Sequence, residues 1–147
     1  MQTFLPYRDF SKTAKCLDYR RLGKQRVEVL QILKALNNES GGWINHPAVK
    51  MWRGYESALV EYGIEICREW KRRGYKDTCI GKIKSYRNGK VKYPSWLGGY
   101  KFHNSHKSNL TRKFPEHYGK LWPNVSADLE YVWPTKTGAT GFDREFN

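Results

Sequence analysis

The sequence predicts a mainly α fold: a compact single-domain helical body with long irregular loops and an aromatic-rich C-terminal coil. Three observations carry that expectation. Leu22, Val29, Leu30, Leu33 and Leu36 fall within one arc of a 3.6-residue helix. Ala48, Trp52, Tyr55, Leu59, Tyr62, Ile66 and Trp70 form a second arc at spacings of four and three. The end of the chain is rich in aromatics, prolines and glycines instead, as in Leu121-Trp122-Pro123 and Val132-Trp133-Pro134. A length of 147 residues fits one domain with one core, here expected over 1–134, with 135–147 a flexible tail.

The first helical window opens at Cys16-Leu-Asp-Tyr-Arg-Arg-Leu-Gly-Lys-Gln-Arg-Val-Glu28. Asp18, Arg21, Gln25 and Glu28 lie along one edge of its apolar stripe, half inside and half outside, while Arg20, Lys24 and Gln31 point to solvent. Polar groups at a core border need partners, because burying one unpaired costs on the order of 1–3 kcal/mol. Either these groups satisfy one another, as Asp18–Arg21 and Lys24–Glu28 pairs, or they hold a ligand. Asn37 to Gly42 reads as a loop. Asn45 is expected to cap a helix that has Pro47 at its first position.

The second arc should break or bend near Gly54 into a short and a long helix. Arg68, Lys71, Arg72 and Arg73 suit the negative end of the long helix, and Gly74 supplies a left-handed terminator. Residues 76–101 alternate Lys82, Lys84, Arg87, Lys90 and Lys92 with Ile83, Tyr86, Val91 and Tyr93 around Asn88-Gly89. That pattern fits a small hairpin or a basic loop. Ser105 is expected to cap a short helix running to Lys113, which Pro115 stops. The Trp-Pro segments should pack as coil over the helices.

Lys and Arg number 27 against 14 Asp and Glu, a net charge of +13. The charge is uneven: from Asn124 onward the chain is −2, and residues 1–123 carry +15. A folded body so basic repels itself, and a polyanionic partner accounts for it. No run approaches the roughly 18 apolar residues of a membrane span, and no signal peptide is evident. Cys16, Cys67 and Cys79 form no C-x-x-C pair, and the four histidines lack zinc spacing. These features predict a cytoplasmic protein without a membrane, metal or cofactor. Walker, dinucleotide-binding and zinc-deaminase signatures are missing from the sequence.

Three clusters combine cations, amides and aromatics: Arg20 to Arg26, Asn45 to Arg53, and His103 to Lys113. Cations hold phosphates, amides read base edges and aromatics stack on bases. The candidate nucleic-acid or ligand contacts are therefore Tyr19, Arg20, Arg21, Lys24, Gln25, Asn45, His46, Arg53, His103, His106, Asn109 and Lys113.

Four blocks resemble the pyrimidine dimer DNA glycosylase (phage endonuclease V) superfamily, and within it a divergent bacterial and phage branch. They are Leu17 to Arg26, Asn45-His-Pro-Ala-Val-Lys-Met-Trp-Arg-Gly-Tyr55, Trp70-Lys-Arg-Arg-Gly-Tyr75, and Phe102 to Lys113 with Pro115-Glu-His-Tyr-Gly119. The resemblance implies a helical domain that binds duplex DNA and flips a nucleotide. It further implies that a free N-terminal amine attacks the sugar C1′, giving a Schiff base and then β-elimination, while a glutamate stabilises the cationic sugar. An α-amine, with a reference pKa of about 7.7–8.0, suits that role.

The sequence departs from that pattern twice. The founding enzymes expose a threonine amine, whereas here Gln2 follows Met1 and the threonine is Thr3. Their glutamate follows a Tyr-Arg pair, whereas Tyr19-Arg20 is followed by Arg21. The candidate nucleophile becomes the Met1 amine, and the candidate carboxylates become Glu28 and Asp18. The expected function is a DNA-binding glycosylase-like enzyme of base excision and abasic-site lyase type, acting on a damaged or modified pyrimidine. The alternatives are an inactive member of the fold that binds nucleic acid or sequesters a nucleotide, and a basic protein-interaction module.

Overall fold

The computed structural model describes residues 1–39 and 43–134. Among them are seven helices and no strand: α1 (Phe10–Cys16), α2 (Tyr19–Leu36), α3 (Pro47–Lys50), α4 (Glu56–Arg72), α5 (Ile80–Lys84), α6 (Tyr100–Lys113) and α7 (Pro115–Tyr118). The helical fold expected from the two apolar arcs is therefore present. The expected tail and Ser40 to Gly42 lie outside the described residues.

Helix α2 begins where Asp18, in extended conformation, accepts a hydrogen bond from the Arg21 amide. Leu22, Val29, Ile32 and Leu33 are fully buried, each contributing on the order of 1.5–3 kcal/mol relative to exposure. The second arc divides as its glycine suggests. Trp52 and Met51 fill the corner after α3, Gly54 takes φ 87°, and α4 then runs from Glu56 to Arg72. Gly74 ends that helix region at φ 96°. Helices α2 and α4 form the centre, with α1 and α5 against α4. A Cβ at Gly63 would stand 2.7 Å from Val29 Cγ1 and 3.1 Å from Ile83 Cγ2. The absence of a side chain there lets α2, α4 and α5 meet.

The structure differs from the sequence-based expectations at four places. A short helix, α1, precedes α2, capped by Asp9 accepting from the Lys12 amide. The cap of α3 is His46, not Asn45: the imidazole Nδ1 accepts from the Ala48 amide at 3.0 Å, doing the work expected of an asparagine oxygen. Of the two readings of residues 76–101, the loop is found and the hairpin is not, but a short helix precedes it: Asp77 accepts from the Ile80 amide and starts α5, and the basic residues beyond it run as turns and coil. Helix α6 starts at Tyr100, with Gly99 at its cap, so Ser105 is interior and buried. Its hydroxyl donates to the Phe102 carbonyl instead of capping. Trp122 packs as coil against Tyr118 in a near-parallel stack, with ring centroids 5.5 Å apart.

Candidate active site

The N-terminal segment enters the core. Thr3, Phe4, Leu5 and Pro6 are buried, and their backbone groups have no neighbouring strand to pair with. Side chains supply the partners. Gln25, on α2 and wholly buried, accepts from the Phe4 amide at 3.0 Å and donates to the Gln2 carbonyl at 2.8 Å. The Tyr62 hydroxyl lies 2.6 Å from the Phe4 carbonyl and 2.7 Å from Gln25 Oε1. Trp52 donates its indole N–H to the Thr3 hydroxyl at 3.1 Å.

Two histidines of α6 hold the next residue. His106 Nδ1 accepts from the Leu5 amide at 2.8 Å, and His103 Nδ1 contacts the Leu5 carbonyl at 2.7 Å. His103 Nε2 accepts from the Gly98 amide at 2.9 Å. One neutral tautomer satisfies both His103 contacts: Nδ1–H donates to Leu5 and Nε2 accepts from Gly98. Burial lowers the pKa of both imidazoles, that of His106 far below the ordinary value.

This anchoring brings Met1 to a cleft of about 360 Å³ lined by Met1, Gln2, Phe4, Arg20, Arg21, Lys24, Gln25, Glu28 and Lys113. Glu28 is 7% exposed and accepts from the Gln25 amide N–H at 2.7 Å. Its other oxygen lies 3.9 Å from Lys24 Nζ, a loose pair whose lysine is largely solvated. Burial raises the Glu28 pKa above the usual carboxylate range, while the Met1 amine, Lys24, the Gln2 backbone and Gln25 pull it back. The same amine adds to burial in lowering the pKa of His46. Residue 1 thus lies near enough to both side chains to act on them electrostatically.

Asp18 is placed otherwise. It caps α2, pairs with Arg21 Nη1 at 3.1 Å and accepts from the buried Tyr118 hydroxyl. Burial alone would raise its pKa; the hydrogen bonds from Tyr118 and Arg21 outweigh that and hold it below the usual range. Both expected pairs, Asp18–Arg21 and Lys24–Glu28, therefore form, yet of the two carboxylates Glu28 lines the cleft and Asp18 does not.

Of the sequence-derived candidates, the structure gathers Met1, Arg20, Arg21, Lys24, Gln25, Glu28 and Lys113. Tyr19 stands beside them, its hydroxyl accepting from Arg20 Nε at 3.1 Å. The second cluster does not join: Asn45 is exposed, His46 caps α3, and Arg53 donates to the Ile44 carbonyl. In the third cluster, His103 and His106 hold Leu5, and Asn109 accepts from Arg112 at 3.2 Å, which leaves Lys113. Gln2 and Phe4 line the cleft without having been singled out. Their signal was Gln25, a glutamine on an apolar helix edge whose partners are backbone groups over 20 positions away.

A model of the family described as pyrimidine dimer DNA glycosylase matches residues 1–82, more than half of the chain. The chain belongs to the pyrimidine dimer DNA glycosylase family. No curated protein and no solved structure matches it. The matched span carries every cleft residue of this glycosylase-family chain except Lys113. Family membership brings DNA as the class of partner. Among the described residues, no helix is long and apolar enough to cross a membrane, and no group of three His, Cys, Asp or Glu side chains is arranged to hold a metal ion.

Proposed function

We propose that the protein is a DNA glycosylase with abasic-site lyase activity on a damaged or modified pyrimidine in duplex DNA, its nucleophile the α-amine of Met1. One observation carries this reading: the first five residues are held in the core by six side-chain hydrogen bonds from Gln25, Trp52, Tyr62, His103 and His106, and they deliver the amine to a cationic cleft containing Glu28. A terminus with no chemical task gains little from such fixation, whereas a nucleophile gains orientation.

In this reading Arg20, Lys24 and Lys113 contact phosphates, and Arg21 lends charge while remaining paired to Asp18. Glu28, whose burial raises its proton affinity, takes a proton from the attacking amine. The nitrogen bonds to C1′ as the C1′–base bond breaks, its electron pair leaving with the base, which gains a proton. Passing that proton to the departing base returns Glu28 to its ionised form, which steadies the cationic sugar. The aminal opens to an iminium as the ring oxygen takes a proton from solvent, and Glu28 then takes the C2′ proton as β-elimination breaks the C3′–O bond. Asp18 is the cap that fixes the start of α2, not the reacting carboxylate.

Borohydride reduction of the protein with duplex DNA containing an abasic site tests this. A covalent adduct mapped by peptide mass spectrometry to Met1 is expected, and Glu28→Gln should lower its rate by about 10²-fold or more. One added residue ahead of Met1 should abolish it. An adduct on Lys24 would refute the amine assignment. Tight DNA binding with no adduct would support the rival reading of an inactive binder.

A further inference from the structure

Helix α6 presents three faces, and His103 and His106 account for one by holding Leu5. A second face, Ser105, Ser108 and Arg112, pins the coil that follows Trp122. Ser105 Oγ accepts from the Val132 amide at 3.2 Å, and Ser108 Oγ accepts from the Leu129 amide at 2.9 Å. Arg112 Nη1 donates to the Ala127 carbonyl at 2.7 Å. The coil thus runs antiparallel to α6 and is fixed at successive turns of the helix.

Between this coil and the third face, Tyr100, Asn104 and Lys107, opens a cavity of about 640 Å³. It is larger than the 360 Å³ cleft at Met1 and falls within the range of small-ligand sites. The two share no lining residue, and the whole lining of the larger one lies beyond residues 1–82, the span the family model matches. Val125, Leu129 and Val132 give it an apolar wall, to which Tyr100 adds a ring that is 79% exposed. Asn104 from the helix and Asn124 from the coil add carboxamides, and Glu130 adds a carboxylate.

Lys107 brings positive charge to the cavity. Its ammonium lies 5.1 Å from the centre of the Tyr7 ring, and the Lys12 ammonium lies 4.3 Å from the same centre. Burial, together with the charge of Lys12, lowers the Lys107 pKa. The ion pairs among the described residues include neither lysine. Two like charges on one ring, with no carboxylate between them, repel, and a phosphomonoester of about −1.5 to −2 charge would offset both. The apolar wall suits a planar heterocycle, and the carboxamides and Glu130 suit the donors and acceptors along its edge.

We propose that the cavity between α6 and the 124–132 coil binds one nucleoside monophosphate, its base against Val125, Leu129 and Val132 and its phosphate on Lys107 and Lys12. This site is separate from the Met1 cleft and independent of the amine chemistry.

Titration of adenosine monophosphate into the full chain tests this, followed by calorimetry and by amide NMR shifts. One equivalent is expected to bind, with shifts at Asn104, Lys107, Leu129 and Val132 and none at Arg21 or Lys24. Adenosine and inorganic phosphate, each lacking one half of the ligand, should bind at least about 10-fold more weakly. Lys107→Gln should weaken binding of the monophosphate about 10- to 150-fold, and Asn104→Ala about 2- to 10-fold. A saturating undamaged duplex should leave the monophosphate bound. Absence of binding would overturn the site, as would shifts confined to residues 20–28, full affinity in Lys107→Gln, or phosphate binding as tightly as the monophosphate. Displacement by the duplex would also overturn it and assign this face to DNA.

Discussion

Replacing Gln25 by leucine keeps the volume of the side chain and removes its polar end. In the native protein all of that end is engaged: Oε1 with the Phe4 amide and the Tyr62 hydroxyl, Nε2 with the Gln2 carbonyl and Glu28 Oε2. Tyr62 retains the Phe4 carbonyl as an acceptor, and the Gln2 carbonyl is nearer to solvent. The Phe4 amide and one Glu28 oxygen are left buried without these partners. At about 1–3 kcal/mol each, the cost is about 2–6 kcal/mol, a large share of the roughly 5–15 kcal/mol that holds a domain together. With a urea m-value of about 2 kcal/mol/M, the unfolding midpoint should fall by about 1–3 M. Amide exchange adds a local readout: Phe4 should lose protection while Leu33 and Ile64, in the helical core, keep theirs relative to the new global stability. A loss of less than about 1 kcal/mol together with a still-protected Phe4 amide would refute the claim that Gln25 anchors the N-terminal segment.

Three further perturbations address charge and pH. Glu28→Gln removes a buried charge whose pKa is raised mainly by burial and should stabilise the fold by about 0.5–2 kcal/mol at neutral pH, seen as a melting point about 2–8 °C higher; a lower one would make Glu28 a structural partner. Lys113→Ala should weaken duplex binding and make the log–log salt slope shallower by about 1, and an unchanged slope would remove Lys113 from the phosphate contacts. His103 and His106 have folded-state pKa values depressed below 6.5, so the unfolded chain takes up protons that the folded one does not as the pH falls through that value. Stability should therefore drop by about 1–3 kcal/mol between pH 7 and 5.5, and a flat urea-derived profile would show that these rings titrate freely.

Helices α2 and α4 were legible because their buried faces are aliphatic and aromatic at helical spacing, and because Gly54 and Gly74 mark the breaks. The start of α6 was not, since its inward face is His103, Ser105, His106, Ser108 and Asn109, and an apolar pattern cannot reveal a helix that buries polar groups. The same property hid much of the site. Imidazoles read as ligand contacts in the sequence; in the fold they are backbone partners for a segment a hundred positions away. Asp18 and Glu28 share one helix edge, and only the third dimension separates a cap bound by Tyr118 from a carboxylate facing a cleft. Arg20, Arg21 and Lys24 line one cleft, as their grouping in the sequence suggests, because successive turns of one helix bring them together without help from the rest of the chain.

The bonds from Leu5 to His106 and from Asp18 to Tyr118 span 101 and 100 positions. At a synthesis rate of about 5–20 residues per second, the partners of the first residues emerge roughly 5–20 s after them. Until α6 has docked, the leading segment lacks the groups that fix Leu5, and the terminal amine has no defined address. Long-range closure of this kind is slow and comes late in folding. A nascent or truncated chain therefore carries the proposed nucleophile without the contacts that would aim it, and those arrive only with completion of the fold.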